Sequence, residues 1–359
     1  MKTTSIYTLF FSPTGTSRKI AAAVAQGMAG TEGRATRASA GDNTAPESPA
    51  GQTPEAGTAA ATPEPAAGDR NETASVHGVP AVTAIDLTHS AGYPAPLPGE
   101  AVAIFAVPVY GGHVAPVALE RLREIRGEST PAVVLAVYGN RSFGTAVAEL
   151  ASFVAGRGFV PVAAGAFVGE HSYSTPATPI AQGRPDAQDL AAATAFGAQV
   201  REKLAKTGSS PGRNPETASD TAATTRATQT GSMDAAKAPA TGALVPIDPA
   251  KLREPRTPLL PKLRFIRFVL GYRRRQKRHP VVLLPAGSAD RCTHCGRCAA
   301  VCPTGAIARG DELRTDAARC IRCCACVKGC PVGARTFETP FAAALSRNFA
   351  RRKPPVTLL

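Results

Sequence analysis

All nine cysteines of the 359-residue chain fall between Cys292 and Cys330, and eight of them form two copies of one spacing. In each copy, three cysteines at x-x intervals are followed, after three further residues, by a fourth cysteine and a proline. A cube of four irons needs one thiolate for each iron, and this run with its trailing proline is the ligand pattern of paired [4Fe–4S] clusters. The sequence therefore predicts two clusters and one-electron transfer. The eight predicted ligands are Cys292, Cys295, Cys298, Cys302, Cys320, Cys323, Cys326 and Cys330.

The fourth cysteine of each run has a special role in this pattern, because the cysteine that precedes the proline binds the other cluster. We therefore expect the first cluster to combine Cys330 with the first three cysteines of the first run. The second cluster then combines Cys302 with the first three cysteines of the second run. The two runs are interlocked in this arrangement, so neither half should fold without the other.

The ninth cysteine, Cys324, adjoins Cys323, and either thiol is a candidate ligand. Only Cys323 keeps both x-x gaps, so Cys324 is expected to be a thiol that binds no iron. Disulfides require an oxidising compartment, and zinc sites usually pair C-x-x-C units. Neither alternative explains two runs of this length, and we expect His294 to be a surface or neighbouring residue rather than a ligand.

Positive charge is concentrated in one connector. The chain has a formal net charge of +14, and residues 251–278 contain eleven Lys or Arg residues against the single acid Glu254. The N-terminal apolar stretch is short, and no run of about 18 apolar residues predicts a membrane span. Clustered cysteines without an export signal predict a cytoplasmic protein.

Composition divides the chain into five parts. We predict a first domain over residues 1–206 that is interrupted by a disordered insertion at 30–78, because the insertion lacks the apolar clusters that build a core. A disordered linker over 207–257 is expected to follow, and then a basic amphipathic helix over 258–280. The cluster-binding domain is expected over 281–340, with a flexible basic tail at 341–359.

The first domain alternates apolar runs with helical patterns. Five apolar strands separated by helices predict a parallel α/β sheet covered on both faces, which binds ligands at the carboxyl ends of its strands. The expected strands are Ser5–Phe11, Val79–Leu87, Ala101–Val107, Ala132–Tyr138 and Phe159–Val168. The expected helices are Thr16–Met28, Pro116–Arg126, Thr145–Ala155 and Asp186–Lys206.

Three loops follow strands at the predicted ligand edge. The first loop is rich in hydroxyls and opens a helix, which favours a monophosphate over a nucleoside triphosphate because no Gly-Lys-Ser/Thr is present. The second and third loops combine aromatic residues with glycines, which suits a flat ring held between them. The alternatives are a simple helix cap for the first loop and two tight turns with core-capping aromatics for the others. The candidate residues are Ser12, Thr14, Gly15, Thr16 and Ser17, then Pro108, Tyr110, Gly111 and Gly112, then Tyr138, Gly139, Asn140, Arg141, Phe143 and Gly144.

On these loops, residues 4–206 resemble a flavodoxin-type domain. The complete arrangement, with a two-cluster ferredoxin behind it, is similar to the EFR1 family of flavodoxin–ferredoxin fusion proteins. The resemblance rests on Phe11–Thr16, Pro108–Gly112, Val137–Arg141 and Gly169–Ser172. It covers about two thirds of the chain and implies a flavodoxin-like five-stranded sheet, a small α+β ferredoxin domain and non-covalently bound FMN. The insertion at 30–78 departs from the family pattern but lies away from the three loops.

Two further segments carry open interpretations. Glu170 and His171, after the fifth strand, either move protons to a reduced flavin or only hydrogen-bond a neighbouring loop. The basic helix either is a solvated connector, docks on one of the domains of this chain, makes a weak contact with an anionic membrane surface, or binds an acidic partner. No nucleic-acid-binding fold accompanies its charge, so nucleic acid is not an expected partner.

The sequence thus predicts a protein that transfers electrons between FMN and two [4Fe–4S] clusters and that serves an external redox partner. No catalytic acid, base or nucleophile is identified. The alternatives are a flavin-free first domain, with the ferredoxin acting as a redox-sensing or docking module, and a reductase with its own small substrate. No nicotinamide fingerprint is present to support use of NAD(P)H.

Overall fold

The computed structural model of the chain describes residues 3–30, 79–89, 95–208 and 244–359. Residues 31–78 of the predicted insertion and 209–243 of the predicted linker lie outside these ranges. The prediction of disorder is wrong for the rest of the linker, because residues 207–208 end a helix, residues 249–251 form a short 3-10 helix, and Ile247 N–H donates to the Pro161 carbonyl at 2.8 Å. Within the described residues, no helix is both long and apolar enough to cross a lipid bilayer.

Five parallel strands form the centre of the first domain. They run in the order β2-β1-β3-β5-β6, which is the flavodoxin-like doubly wound arrangement with the chain reversing direction of winding beside β1. The strands β3, β5 and β6 are buried on both faces because helices cover both sides of the sheet, whereas the edge strand β2 is partly exposed. The strands are β1 (Ser5–Phe10), β2 (Ala81–Asp86), β3 (Val102–Tyr110), β5 (Thr130–Tyr138) and β6 (Phe159–Val168), and the short β4 (His113–Val114) pairs antiparallel with β3.

Two helices pack on each face of this sheet. On one face lie α1 (Thr16–Ala29) and α4 (Ala187–Gly208), and the other face is covered by α2 (Pro116–Arg121) and α3 (Ala146–Ala155). The helices α1 and α4 cross closely because each contributes a glycine to the contact. A Cβ at Gly27 would collide with the Thr194 carbonyl, and one at Gly197 would collide with the Val24 carbonyl.

The second helix is shorter than the predicted Pro116–Arg126. It ends at Arg121, and the chain continues through tight turns in which Arg123 N–H donates to the Glu120 carbonyl and Ile125 N–H to the Leu122 carbonyl. These i to i−3 bonds bring both Leu122 and Ile125 into the core. The apolar spacing that suggested a longer helix is therefore satisfied by turns.

The cluster-binding domain contains little regular structure. Its elements are β7 (Ala286–Gly287), α6 (Arg297–Ala300), α7 (Ala325–Lys328) and β8 (Arg335–Thr336), with β7 and β8 paired antiparallel. It is preceded by the basic helix α5 (Leu259–Arg278), whose bounds fall within the predicted connector.

The prediction of a flexible tail is wrong. Residues 340–348 form α8 (Pro340–Asn348), and β9 (Val356–Leu358) pairs antiparallel with β6 at the edge of the first sheet. The basic residues of this segment concealed an apolar face, because Phe341, Leu345 and Phe349 pack in one cluster with Phe265 of α5. The last part of the chain thus returns to the first domain.

Candidate redox centre

Five thiols of the cysteine runs line one pocket: Cys302, Cys320, Cys323, Cys324 and Cys326. All of these except Cys324 are the set that the crossover of fourth cysteines predicts for the second cluster. The structure therefore brings a cysteine of the first run to the other three. Within the described residues, no three His, Cys, Asp or Glu side chains gather as they would around a single metal ion.

The first run lies nearer the surface. Cys295 is exposed and Cys292 is partly exposed, whereas Cys298 is buried against Ile307 and Cys326. Arg291 and His294 beside these cysteines are exposed as well. His294 contacts Glu312, with 3.0 Å between Nδ1 and Oε2.

The two runs repeat one backbone conformation. His294 and Arg322 occupy equivalent positions and both have left-handed φ values, 51° and 56°. The same holds for Gly305 and Gly333, at 61° and 60°. These turns also place matching N–H groups at the fourth cysteines: Ala306 donates to Cys302 Sγ and Ala334 to Cys330 Sγ, each at 3.2 Å. Hydrogen bonds to the sulfurs are one of the means by which a protein sets a cluster's potential.

Cys324 corresponds in this repeat to Gly296. Both residues precede a short helix with left-handed φ, 58° for Cys324 and 70° for Gly296. The Cys324 thiol is buried and donates to the Arg322 carbonyl at 3.6 Å between Sγ and O. Burial raises the pKa of this thiol strongly and that of Cys323 to about 12. Without bound iron both thiols therefore keep their protons. A thiol that binds iron would release its proton.

The second run contacts the ligand edge of the sheet. Tyr110 ends β3, and its phenol pKa is raised well above the ordinary value, first by burial and then by the neighbouring Cys323 and Cys324. Lys328, between the last two cysteines, pairs with Glu170 after β6, with 2.7 Å between Nζ and Oε1. The second cysteine run is therefore adjacent to the edge of the sheet where the flavin is predicted to bind.

Two other contacts join the first domain to the cluster domain. The Arg121 guanidinium donates to the carbonyl of Pro303, which directly follows Cys302, at 3.1 Å. The rings of Tyr173 and Phe337 meet edge to face, with 5.1 Å between centroids. Each contact joins a residue of the first domain to a residue of the cluster domain.

The first predicted loop has the form of an anion site. Ser12 Oγ accepts from Arg18 N–H, while Ser12 N–H donates to Thr88 Oγ1, each at 3.0 Å. Gly15 has a φ of 80°, with open space where a Cβ would stand. Ser17 Oγ is buried at the start of α1 and has no hydrogen-bond partner among the described residues. An orphaned hydroxyl at a helix N-terminus, where the first N–H groups lack acceptors, fits a phosphate group.

The second loop is a hairpin turn between β3 and β4. Gly111 and Gly112 both have positive φ, 66° and 101°, as a two-residue hairpin of this hand requires. Open space surrounds the Cβ position of Gly111. Gly112 joins this loop to the third, since its carbonyl accepts from Thr145 N–H at 2.9 Å. The Pro108 carbonyl accepts from Ala115 N–H and so closes the hairpin.

The aromatic residues of the third loop are part of the core. Tyr138 and Phe143 are buried with 5.6 Å between ring centroids, beneath the loop rather than on its surface. This is the arrangement of core-capping aromatics that the sequence left as an alternative for this loop. A Cβ at Gly139 would collide with the His171 side chain, so no larger residue fits there.

The polar groups of the third loop bind distant parts of the chain. Asn140 Nδ2 donates to the Phe349 carbonyl at 2.7 Å and to the Arg351 carbonyl at 2.9 Å. Glu254 accepts from Ser142 Oγ at 2.6 Å and from Gly144 N–H at 2.8 Å. The Arg141 guanidinium lies 5.6 Å from the centre of the Phe265 ring. The predicted residues of the first two loops thus remain at the edge, whereas those of the third are held within the chain.

Several residues of the site carried no signal in the sequence. Thr88, Glu254 and Lys328 make their contacts across gaps of 76 to 158 residues. Spacing patterns report only local neighbours, so they give no indication of such pairs. Glu170 was a candidate by its position after a strand, and its observed role is the ion pair with Lys328.

Residues 287–308 match the family described as a 4Fe-4S binding domain. These residues contain the first cysteine run, so the chain carries a ferredoxin-type [4Fe–4S] motif. Beside a flavodoxin-like sheet, this motif gives the protein a general electron-transfer role.

Solved structures provide two further comparisons. The metal-soaked Flv1 flavodiiron core from Synechocystis sp. PCC6803 is 15% identical over 57% of this chain, with a TM-score of 0.31. The chain spans 37% of that protein's length. A flavodoxin from the domain Archaea is 11% identical over 55% of this chain and 97% of its own, with a TM-score of 0.28. The comparison with curated proteins gives no match.

Proposed function

We propose that this protein transfers electrons between FMN, bound at the edge of the first sheet, and two [4Fe–4S] clusters. The observation that carries the proposal is the ion pair between Lys328 of the second run and Glu170 of the loop after β6, with 2.7 Å between Nζ and Oε1, at the edge of the sheet where the flavin would bind. Flavin exchanges one or two electrons and a cubane exchanges one, and the protein supplies binding, position and potential.

The same contact gives the two clusters different roles. The second cluster, which Cys302, Cys320, Cys323 and Cys326 would hold, is the neighbour of the flavin site. The first cluster, which includes Cys292 and the exposed Cys295, is the one that external redox partners reach. Electrons entering from the flavin therefore reach the surface through both clusters in turn, and the reverse order applies to electrons that enter from outside.

The chain's own residues hold the flavin at its phosphate end. The N–H groups and the Ser17 hydroxyl at the start of α1 bind the phosphate, and Gly15 allows the backbone to approach it. The second loop would then hold the ring, since the space at the Cβ position of Gly111 is open. This arrangement, together with the order of the two domains, supports membership of the EFR1 family. The clustered free cysteines support a cytoplasmic location.

A variant at Ser17 tests the phosphate site. Ser17→Ala removes a buried hydroxyl that has no partner, so the flavin-free protein should be as stable as the parent or more stable. Its affinity for FMN should fall about tenfold, because one hydrogen bond to a charged group is lost. Riboflavin, which lacks the phosphate, should bind both proteins equally. Equal FMN affinity of parent and variant would exclude this role of the loop.

Anaerobic purification tests the cofactor set. The proposal requires about eight irons per chain from two cubanes, together with one flavin. About eight irons in a protein that does not bind added FMN would leave only the ferredoxin half of the proposal.

One observation favours a second function. The third loop is covered by residues 349–353 and by Glu254, which is also the arrangement expected of a flavin-free domain that serves as a platform for the ferredoxin. In that case FMN and riboflavin both fail to bind, while iron content and the contact between the domains are retained.

A further inference from the structure

The helix α5 has an inner face that is fully used. Phe265 is buried with Ile180, Leu345 and Phe349, and Phe268 and Tyr272 both meet the Phe341 ring, with 5.1 and 4.9 Å between centroids. All the aromatic side chains of α5 therefore face α8 and the loop after β6. This face attaches the helix to the body of the protein.

A second apolar stripe on α5 has no covering element among the described residues. Leu259, Leu263, Ile266 and Leu270 are 70%, 52%, 44% and 55% exposed. Their spacing of four, three and four residues places them in one row along the helix, on the side roughly opposite the inner face. Isolated exposed leucines are ordinary, but a continuous row of four indicates an interaction surface.

The charges around this stripe all have one sign. The helix contains eight Lys or Arg residues and no Asp or Glu, and all eight cations are exposed. Lys262 and Arg273 flank the stripe on one side, Arg267 and Arg274 flank it on the other, and Lys277 continues its line. Beyond the helix, Val281 and Val282 are also exposed, at 58% and 63%.

We propose that this face of α5 lies on an anionic lipid surface, with the aliphatic stripe inserted between head groups and the cations paired with lipid phosphates and carboxylates. A surface helix with an aliphatic row between two rows of cations is the pattern that binds the membrane interface without spanning it. The attached inner face keeps the helix parallel to the body, so the whole protein would rest on the bilayer.

The composition of the stripe favours lipid over a protein partner. Protein interfaces depend on aromatic anchors seated in pockets, whereas every aromatic residue of α5 is turned inward. The remaining aliphatic row needs no pocket, and a bilayer stabilises both the row and its cations. A second copy of this chain would bring eight like charges against eight others, which opposes association through this face.

Sedimentation of the intact, cluster-loaded protein with lipid vesicles tests the proposal. We expect binding to vesicles of phosphatidylcholine mixed with an equal part of phosphatidylserine, little binding to phosphatidylcholine alone, and weaker binding as salt is added. Leu263→Gln with Leu270→Gln should weaken binding about tenfold or more. The matched control is Val245→Gln, which changes an apolar side chain that is 59% exposed outside the helix and should have no effect.

The cations have their own matched pair of variants. Each cation near an anionic surface contributes about fivefold to binding, so Arg273→Gln with Arg274→Gln should cost about 25-fold. Arg123→Gln with Lys206→Gln removes the same net charge from exposed positions elsewhere and should cost far less. Equal losses in the two charge variants, or full binding by the leucine variant, would overturn the proposal. Self-association without vesicles that the leucine variant abolishes would assign the face to a second copy instead.

Vesicle binding uses neither the flavin nor electron transfer as its readout. Its outcome is therefore independent of the Ser17 experiment, and either proposal can fail while the other stands.

Discussion

Lys328 of the second cysteine run and Glu170 of the loop after β6 form an ion pair across the junction of the two domains, with 2.7 Å between Nζ and Oε1. Glu170 also accepts from Gly183 N–H at 3.1 Å. Burial alone would raise the pKa of Glu170, but these hydrogen bonds, led by that of Lys328, lower it below its ordinary value. The carboxylate is therefore charged where it meets the cluster domain.

A double-mutant cycle with Lys328→Met and Glu170→Gln should show a favourable coupling of at most about 1 kcal/mol in urea unfolding, because both side chains are partly exposed. The control cycle uses Arg319 and Asp316, which pair at 3.6 Å on the surface of the cluster domain and should couple more weakly. Equal coupling in both cycles would contradict a specific role of the Lys328 pair in holding the domains together.

Replacing Cys324 by glycine should leave the iron content unchanged. The substitution relieves left-handed strain of about 1 kcal/mol, while loss of the buried thiol costs a similar amount, so stability should change by less than about 1 kcal/mol. The comparison variant Cys323→Ser should lose the second cluster. Iron loss in the Cys324 variant would assign that residue as a ligand.

Two substitutions of Asn140 should reduce stability by clearly different amounts. Asn140→Gly suits the φ of 62° but loses two hydrogen bonds to the C-terminal segment, at a cost of about 2 kcal/mol. Asn140→Asp turns an oxygen anion toward two carbonyl oxygens and should cost about 2 kcal/mol more. Hydrogen exchange of the β9 amides would measure the release of that segment. The control is Asn348→Asp, which disturbs one local hydrogen bond to the Ala344 carbonyl. If the β9 amides exchanged faster in this control than in the Asn140 variants, Asn140 would not be the residue that holds the segment.

His171 should make stability depend on pH below neutrality. Burial, aided by Lys328 and Arg141, lowers its pKa from 6.5 to about 4. The unfolded chain therefore binds more protons between these two values, so stability decreases as pH falls from 6.5 toward 4, by at most about 1.4 kcal/mol per pH unit. His171→Asn keeps an acceptor for Tyr173 N–H but cannot titrate. Urea unfolding across this range should show a smaller slope for the variant, and identical slopes would count against the buried neutral histidine.

Local patterns in the sequence were sufficient to predict the sheet and the ligand spacing of the cysteine runs. Strands buried on both faces are continuous apolar runs, and cluster ligands have fixed spacings, so both are visible without knowledge of the fold. Confirmation of the flavodoxin-like arrangement comes from the strand order. The number of clusters and the presence of FMN remain predictions.

The contacts that join the domains were not visible in the sequence. β9 is only three residues long, and it pairs with a strand almost 200 residues earlier. Arg351 and Lys353 suggested a solvated tail, yet the Lys353 side chain is buried and reaches the Arg141 carbonyl at 2.5 Å. Such long-range contacts are decided by tertiary packing, which overrides what charge and composition indicate locally.

The pairing of β9 with β6 gives the cluster domain two attachments to the flavodoxin-like domain, one before α5 and one after α8. Cutting the backbone between α4 and α5 would therefore yield two polypeptides that stay assembled as one particle, with the ferredoxin portion still completing the other portion's sheet. The two domains therefore share one sheet and are not joined by a linker alone. Separating them would require removal of a strand as well as the linker.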